Sequence, residues 1–422
     1  MEKNNEYKDS GVQWLGEIPS HWKIRRIKWL FREEDEKNVN LTYQLLSFSR
    51  NKGIIPFSAI NEKAPSASDL SKYKVLHEGQ LLENRMQAWS GMFGCSHIEG
   101  CVSPDYSVFS PYDSNVVTEY YACLFRIPIF VQQFANASKG IGDGFNRLYT
   151  PQFHKIYAIV PSTIEQHAIV FYLDAKCSKL DMFISNKEKE ITLLQEMKQR
   201  VITDAVTRGL NPNVKFKPTN IPWLPEIPEY WKIKRAKNMF KKEQRPIQYD
   251  DEIVTCFRDG EVTLRKNRRT SGFTEATDYS HYQHICKGDL VIHQMDAFAG
   301  SSGVSDSDGM GTPVLSVCTP KIEGIDNYYY AHVLRIMGKN GFILSLYRGI
   351  RERSSDFRFD TFIKQWLPVP PIEEQHAIVS YITERVAKID SLVEKLNKEI
   401  ECIKEYKQRL ISDVVTGQIK VS

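Results

Sequence analysis

The residues with the widest chemical reach in this sequence are its cysteines, histidines and glycine-rich turns. Cys95, His97 and Cys101 come nearest to a metal motif, but structural zinc is normally held through close cysteine pairs, which are missing here, so no metal site is expected. Asp306-Ser-Asp308-Gly309 has the opening of a calcium loop without its closing Glu and reads as a polar loop. Gly140-Ile-Gly-Asp-Gly144 has glycines that could cradle a cofactor, yet no acidic residue follows at a useful distance, and a turn is the better reading. Pro370-Pro371 sits between Val369 and Ile372, not in the Asn/Asp-Pro-Pro-aromatic setting that holds a flipped adenine. No Gly-x-x-x-x-Gly-Lys-Ser/Thr loop occurs, so no ATP-driven motor is expected. Nuclease carboxylates have no distinctive spacing, and pattern alone leaves them open. His167 and His376 have no partnered nucleophile or acid and read as packing or capping residues. The expected catalytic set is therefore empty.

A different chemistry fits the polar loops. Sequence readout on a duplex needs Arg, Lys, Asn or Gln at base edges, with further cations on the phosphates. In the first half the candidates are Asn84, Arg85, Gln87, Lys139, Asn146 and Arg147; in the second they are Arg265, Lys266, Arg268, Arg269, Gln294, Arg348, Arg351 and Arg358. Net charge is only +4, but its distribution is uneven: Lys232 to Arg269 holds twelve basic against six acidic residues, and Lys23 to Arg32 holds five basic and no acidic ones. Such local excess suits phosphate contact, although a solvated face gives the same pattern.

Those loops are set in a chain written twice. Trp14-Leu-Gly-Glu-Ile-Pro-Ser-His-Trp22-Lys-Ile-Arg-Arg26 returns as Trp223-Leu-Pro-Glu-Ile-Pro-Glu-Tyr-Trp231-Lys-Ile-Lys-Arg235, an offset of 209 residues with nine of thirteen positions identical. Glu165-Gln-His-Ala-Ile-Val170 returns unchanged at Glu374–Val379, and Lys198–Thr207 returns as Lys407–Thr416, both at the same offset. The edges of each copy match and the middles diverge, as expected of a scaffold that varies the surface choosing its target. At this offset Asn84 matches His293, Arg85 matches Gln294 and Lys139 matches Arg348, which marks these slots as specificity-setting.

After each variable region the pattern turns helical. Leu173, Cys177, Leu180, Ile184, Lys187, Ile191 and Leu194 recur with alternating gaps of four and three, and the second copy places Ile382, Val386, Ile389, Val393, Leu396, Ile400 and Ile403 in the same slots. One apolar seam per helix is the signature of a coiled coil, and the two helices are each other's obvious partners. Thr163 and Gln166 are placed to form a capping box at the first helix start. From Thr163 to Thr207 such a helix runs to about 65 Å, a spacer that would set heads over half-sites roughly one DNA turn apart.

The expected fold is thus an α/β (α+β) globule in two copies, separated by two long helices forming an antiparallel coiled coil, with a pseudo-two-fold internal repeat. The expected domains are 1–160, a spacer helix at 161–209, a second globule at 210–369 and a C-terminal helix at 370–422. A chain of 422 residues exceeds what one core usually supports. With 41% apolar and 26% charged residues, no long apolar run and a polar N-terminus, it reads as a cytoplasmic protein with no membrane contact. Its eight unpaired cysteines read as reduced thiols.

The Trp14 start, the Pro371-Ile-Glu-Glu-Gln375 stretch and the two globule-plus-helix units together resemble the specificity subunits of type I restriction-modification systems. The resemblance covers nearly the whole chain. It implies two target recognition domains that read a bipartite double-stranded DNA sequence, and helices on which two modification (methyltransferase) subunits dock. It implies no cofactor in this chain; S-adenosylmethionine, ATP and magnesium would belong to the modification and restriction subunits. Pro161-Ser-Thr-Ile-Glu165 departs from the double-Pro, double-Glu form and reads as drift at a helix start. The competing readings are a single-chain DNA methyltransferase or nuclease with unrecognised motifs, and a coiled-coil protein scaffold.

Overall fold

A computed structural model describes residues 6–50, 52–59, 69–140, 146–269, 271, 278–346 and 357–421. Its contacts divide the chain into two compact units, residues 1–188 with 397–422, and residues 189–396. Each takes one globule together with part of each long helix. The helices run Thr163–Arg208 and Ile372–Val415, and neither is long and apolar enough to cross a membrane.

In the first unit the central sheet has four antiparallel strands in the order Phe31–Glu34, Tyr106–Pro111, Leu81–Asn84 and Phe93–Cys95. Period-two alternation is weak in these strands because both faces are covered. Leu81, Leu82, Phe93, Val108 and Phe109 are all buried, some against the aromatic cluster of Phe125, Phe134 and Phe153 and some against the hairpin Leu46–Ser49/Gly53–Pro56. Leu81 faces Phe109 across the ladder.

The second unit repeats this plan. Its sheet runs Phe240–Lys242, Leu315–Pro320, Leu290–His293 and Ser302–Val304, with Leu290 facing Cys318. One difference follows from a single residue. The second unit has one helix, Asn327–Lys339, where the first has Thr118–Leu124 and then Pro128–Ala137. Pro128 stands where the second unit has Met337; lacking an N–H, proline cannot continue a helix but can begin one.

Both globules hold their helices in the same way. In the first unit Ile169 and Leu173 from one helix and Leu410, Val414 and Val415 from the other join the globule core; in the second unit Ile378 and Ile382 join with Ile202, Ala205 and Val206. Within the first unit the two helix segments run antiparallel, since Asp181 pairs with Lys407 at 2.5 Å and Lys187 with Glu399 at 3.2 Å. From Leu173 to Ile403 the seam positions are buried or half-buried while most of their helix neighbours are exposed.

The capping box sits one residue earlier than expected. Ser162, not Thr163, exchanges bonds with Glu165: its backbone N–H and hydroxyl donate to Glu165 Oε2 at 3.0 and 2.7 Å. Thr163 instead donates to Asn115, and Gln166 turns inward.

Candidate nucleic-acid interface

In the first unit the candidate reading loop follows the strand Leu81–Asn84. Asn84 Oδ1 accepts from Met86 N at 3.1 Å, which closes a tight turn and leaves Met86, Gln87 and Trp89 exposed. Arg85 is held at two points: Nε donates to Ser107 Oγ at 2.7 Å and Nη2 to Glu33 Oε1 at 2.8 Å, leaving Nη1 unused by either contact. A second segment is brought beside it, because Leu148 N donates to Arg85 O at 3.1 Å and Lys139 and Arg147 exchange backbone bonds at 2.9 Å. The structure therefore gathers Asn84, Arg85, Gln87, Lys139, Asn146 and Arg147, which lie more than fifty residues apart in sequence. Lys139 and Asn146 are exposed; Arg147 lies 3.7 Å from Asp105.

The second unit builds the matched slot from the same parts. Gln294 O accepts from Phe357 N at 2.8 Å, and its side-chain amide nitrogen donates to Ser316 Oγ at 3.2 Å and to Pro313 O at 3.3 Å. Ser316 is the repeat partner of Ser107, and Phe357 of Leu148. His293, partner of Asn84, accepts from Asp296 N at 3.1 Å, and burial pushes its imidazole below the usual range. Arg358 is exposed and begins the short helix Phe359–Phe362. Arg348 and Arg351 lie outside the described residues, as does most of the Gly140–Gly144 stretch.

Arg265, Lys266, Arg268 and Arg269 form a separate cluster after the hairpin Val254–Cys256/Val262–Leu264. Lys266 and Arg268 have carboxylate partners. Lys266 pairs with Glu252; Arg268 lies over the Phe257 ring and bonds Asp259 and Glu261 at 2.7 and 2.8 Å. The bond from Asp259 is the main reason the Arg268 guanidinium is held above its usual range. Arg269 Nε donates to Ser271 O at 3.2 Å. The same hairpin reaches the reading loop through Arg258, which bonds Asp296 at 2.9 Å.

No family model matches the chain. It is 24% identical over 293 residues to the type I restriction enzyme MjaVIII specificity subunit of Methanocaldococcus jannaschii, spanning 66% of each chain. It is 22% identical over 443 aligned positions to the putative type I restriction enzyme MjaX specificity subunit of the same organism, over 96% of each. Among solved structures, a chain from the study "Structural basis underlying complex assembly and conformational transition of the type I R-M system" aligns over 95% of this chain and 99% of its own, at 13% identity and a TM-score of 0.68. The chain is thus similar over nearly its whole length to type I restriction enzyme specificity subunits. The HsdS subunit of Thermoanaerobacter tengcongensis shares the fold over 95% of this chain and 98% of its own, at 14% identity and a TM-score of 0.54.

Several groups that shape these candidate loops carry no signal in sequence. Ser107 and Ser316 anchor the matched slots from the neighbouring strand, a role visible only once the strands are paired. Glu33 orients Arg85 and is also near Lys74 at 3.6 Å; burial alone would raise its carboxyl, but Thr150, Lys74 and Arg85 hold it below the usual range. Glu83, one residue before the loop pair, is fully buried and neither carboxylate oxygen has a hydrogen-bond partner. Burial pushes it up to about 8, against the smaller pull of Ser107 and Arg85.

Proposed function

We propose that this chain is the DNA sequence-specificity subunit of a type I restriction-modification complex and does no chemistry itself. The observation that carries this reading is the matched slot 85/294. The same serine and the same backbone bond support a guanidinium donor in one unit and an amide with a free acceptor oxygen in the other. A single frame that presents different hydrogen-bonding groups is what two half-sites of different sequence require, since Arg favours guanine and Gln favours adenine in the major groove.

In this reading residues 1–160 and 210–369 are the target recognition domains. The helices 161–209 and 370–422 pair as an antiparallel coiled coil that separates them, related by a pseudo-two-fold axis. The repeated ion pairs at the seam support that pairing. Two modification subunits dock on the helices and bring S-adenosylmethionine; restriction subunits bring ATP and magnesium; this chain carries none of these and works in the cytoplasm. Asn84, Arg85, Gln87, Lys139 and Gln294 face bases, while Lys266, Arg269 and Arg358 serve the phosphates.

Selection of bound duplexes from a random pool, with the chain alone and with its modification subunit, tests this. Recovery of a two-part motif with a fixed gap, one half of which changes when residues 14–160 are exchanged, is the expected result. Failure to enrich any sequence with the partner present would instead favour a protein scaffold.

A further inference from the structure

The carboxylate that the Cys95 motif lacks in sequence comes from a helix. Cys95 ends the strand Phe93–Cys95, His97 follows two residues on, and Glu119 lies in the first turn of the helix Thr118–Leu124. One ligand atom from each lies within 4.8 Å of the others. Cys101 takes no part; it is buried in the strand Gly100–Val102, its thiol donating to Tyr43 O at 3.5 Å.

The groups that act most strongly on the Cys95 sulfur are ones that turn negative. Glu119 and Glu78 stand near the Cys95 sulfur, as does Cys123, one helical turn beyond Glu119. Among the described residues neither Glu78 nor Glu119 forms an ion pair, and the exposed His97 ring makes no hydrogen bond. A zinc-class ion takes a thiolate, an imidazole and a carboxylate together as ligands.

A second trio, His284, Cys286 and Asp308, is equally close-set but differently committed. His284 Nδ1 lies 2.9 Å from both Asp251 oxygens and Nε2 lies 3.3 Å from the Gln248 amide, while Asp308 Oδ1 accepts from Lys287 N at 2.8 Å. Those donors and acceptors already serve the protein. In the first trio the Cys95 thiol donates to Ser96 O at 3.7 Å, but among the described residues the His97 ring and the Glu119 carboxylate have no hydrogen-bond partner outside the trio.

We propose that Cys95, His97 and Glu119 bind a zinc-class divalent ion, with the fourth position open to water. Bonds of about 2.3 Å to sulfur and about 2.0 Å to nitrogen and oxygen set the ligand atoms roughly 3.5 Å apart, a closure within the reach of side-chain rotation. The ion joins the strand Phe93–Cys95 to the helix. Because that strand pairs with Leu81–Glu83, it stiffens the hairpin whose tip carries Asn84, Arg85 and Gln87.

The test is a titration of the full-length, chelator-stripped chain with Co²⁺, then Zn²⁺. A single equivalent of cobalt with a thiolate-to-cobalt charge-transfer band, displaced by zinc, is expected. Cys95→Ser should abolish the band, His97→Ala and Glu119→Gln should lose the tight site, and Cys286→Ser should keep it. His97 is exposed, so His97→Ala carries the test if Cys95→Ser fails to fold, with circular dichroism of the metal-free variants as the check. Absence of the band in the native chain, or its survival in both His97→Ala and Glu119→Gln, overturns the proposal.

Discussion

Trp22 donates its indole N–H to Glu165 at 2.9 Å, tying the start of the first globule to the start of a long helix. The second unit repeats the bond between Trp231 and Glu374 at 2.9 Å. Beside each glutamate a buried glutamine makes the same three bonds. Gln166 takes Val117 N and gives to Asn115 O and Pro161 O; Gln375 takes Asp326 N and gives to Gly324 O and Pro370 O. The repeated Glu-Gln pair is therefore a clamp between globule and helix, which explains why it survives unchanged where the reading loops diverge.

The clamp predicts an acid sensitivity. Burial would raise the Glu165 carboxyl, but bonds from Trp22, Ser162 and His21 outweigh it and hold the group down to about 2, against an ordinary 4.5. Its stabilisation is present above about pH 4.5 and is lost as pH falls toward about 2. Glu165→Gln should cost about 1.5–3 kcal/mol at neutral pH and flatten this dependence, as read by urea unfolding across that range.

Glu83 predicts the opposite slope. Its folded form keeps a proton up to about pH 8, whereas the unfolded chain releases it near 4.5, so the native state loses stability as pH rises between the two. Glu83→Gln should remove this loss and leave the variant more stable than the parent at pH 8. Equal unfolding midpoints for the two proteins at about pH 5 and about pH 8 would sink the assignment.

Arg85→Ala should cost about 1–3 kcal/mol of discrimination at one base position and leave the other half-site unchanged, and Gln294→Ala the converse. Lys266→Ala and Arg269→Ala should weaken all sequences alike and reduce the salt slope, each by about one phosphate contact. Binding isotherms on single-base variants of the selected motif, at several salt concentrations, separate the two classes.

Tyr120 and Tyr329 are fully buried, and their hydroxyls donate to Val415 O and Val206 O at 2.9 and 2.8 Å, each at the end of a long helix. Tyr329→Phe leaves the ring packed but strands the carbonyl. A loss of about 1–3 kcal/mol is expected in denaturant unfolding. The exposed pair Lys198–Asp390, and its repeat Lys407–Asp181, should by contrast show a coupling of only about 0.2–1 kcal/mol in a double-mutant cycle.

Much of this was legible in the residues alone. The 209-residue repeat, the seam from Leu173 to Leu194, its counterpart from Ile382 to Ile403, and both helix starts follow from periodicity and identity, which are local properties of the chain. Short apolar runs between turns, such as Leu290–His293 and Tyr106–Phe109, also point to strands, and strands stand at both places. What only the tertiary structure decided is which distant residues meet. Ser107 under Arg85, Glu33 beside it, Glu119 beside Cys95, and Ser162 in place of Thr163 as the cap depend on strand pairing, helix docking and rotamer choice. The meetings across strands and helices are settled by the packing of the whole globule; for the cap, Ser162–Glu165 and Thr163–Gln166 have the same spacing, and only the structure chooses between them.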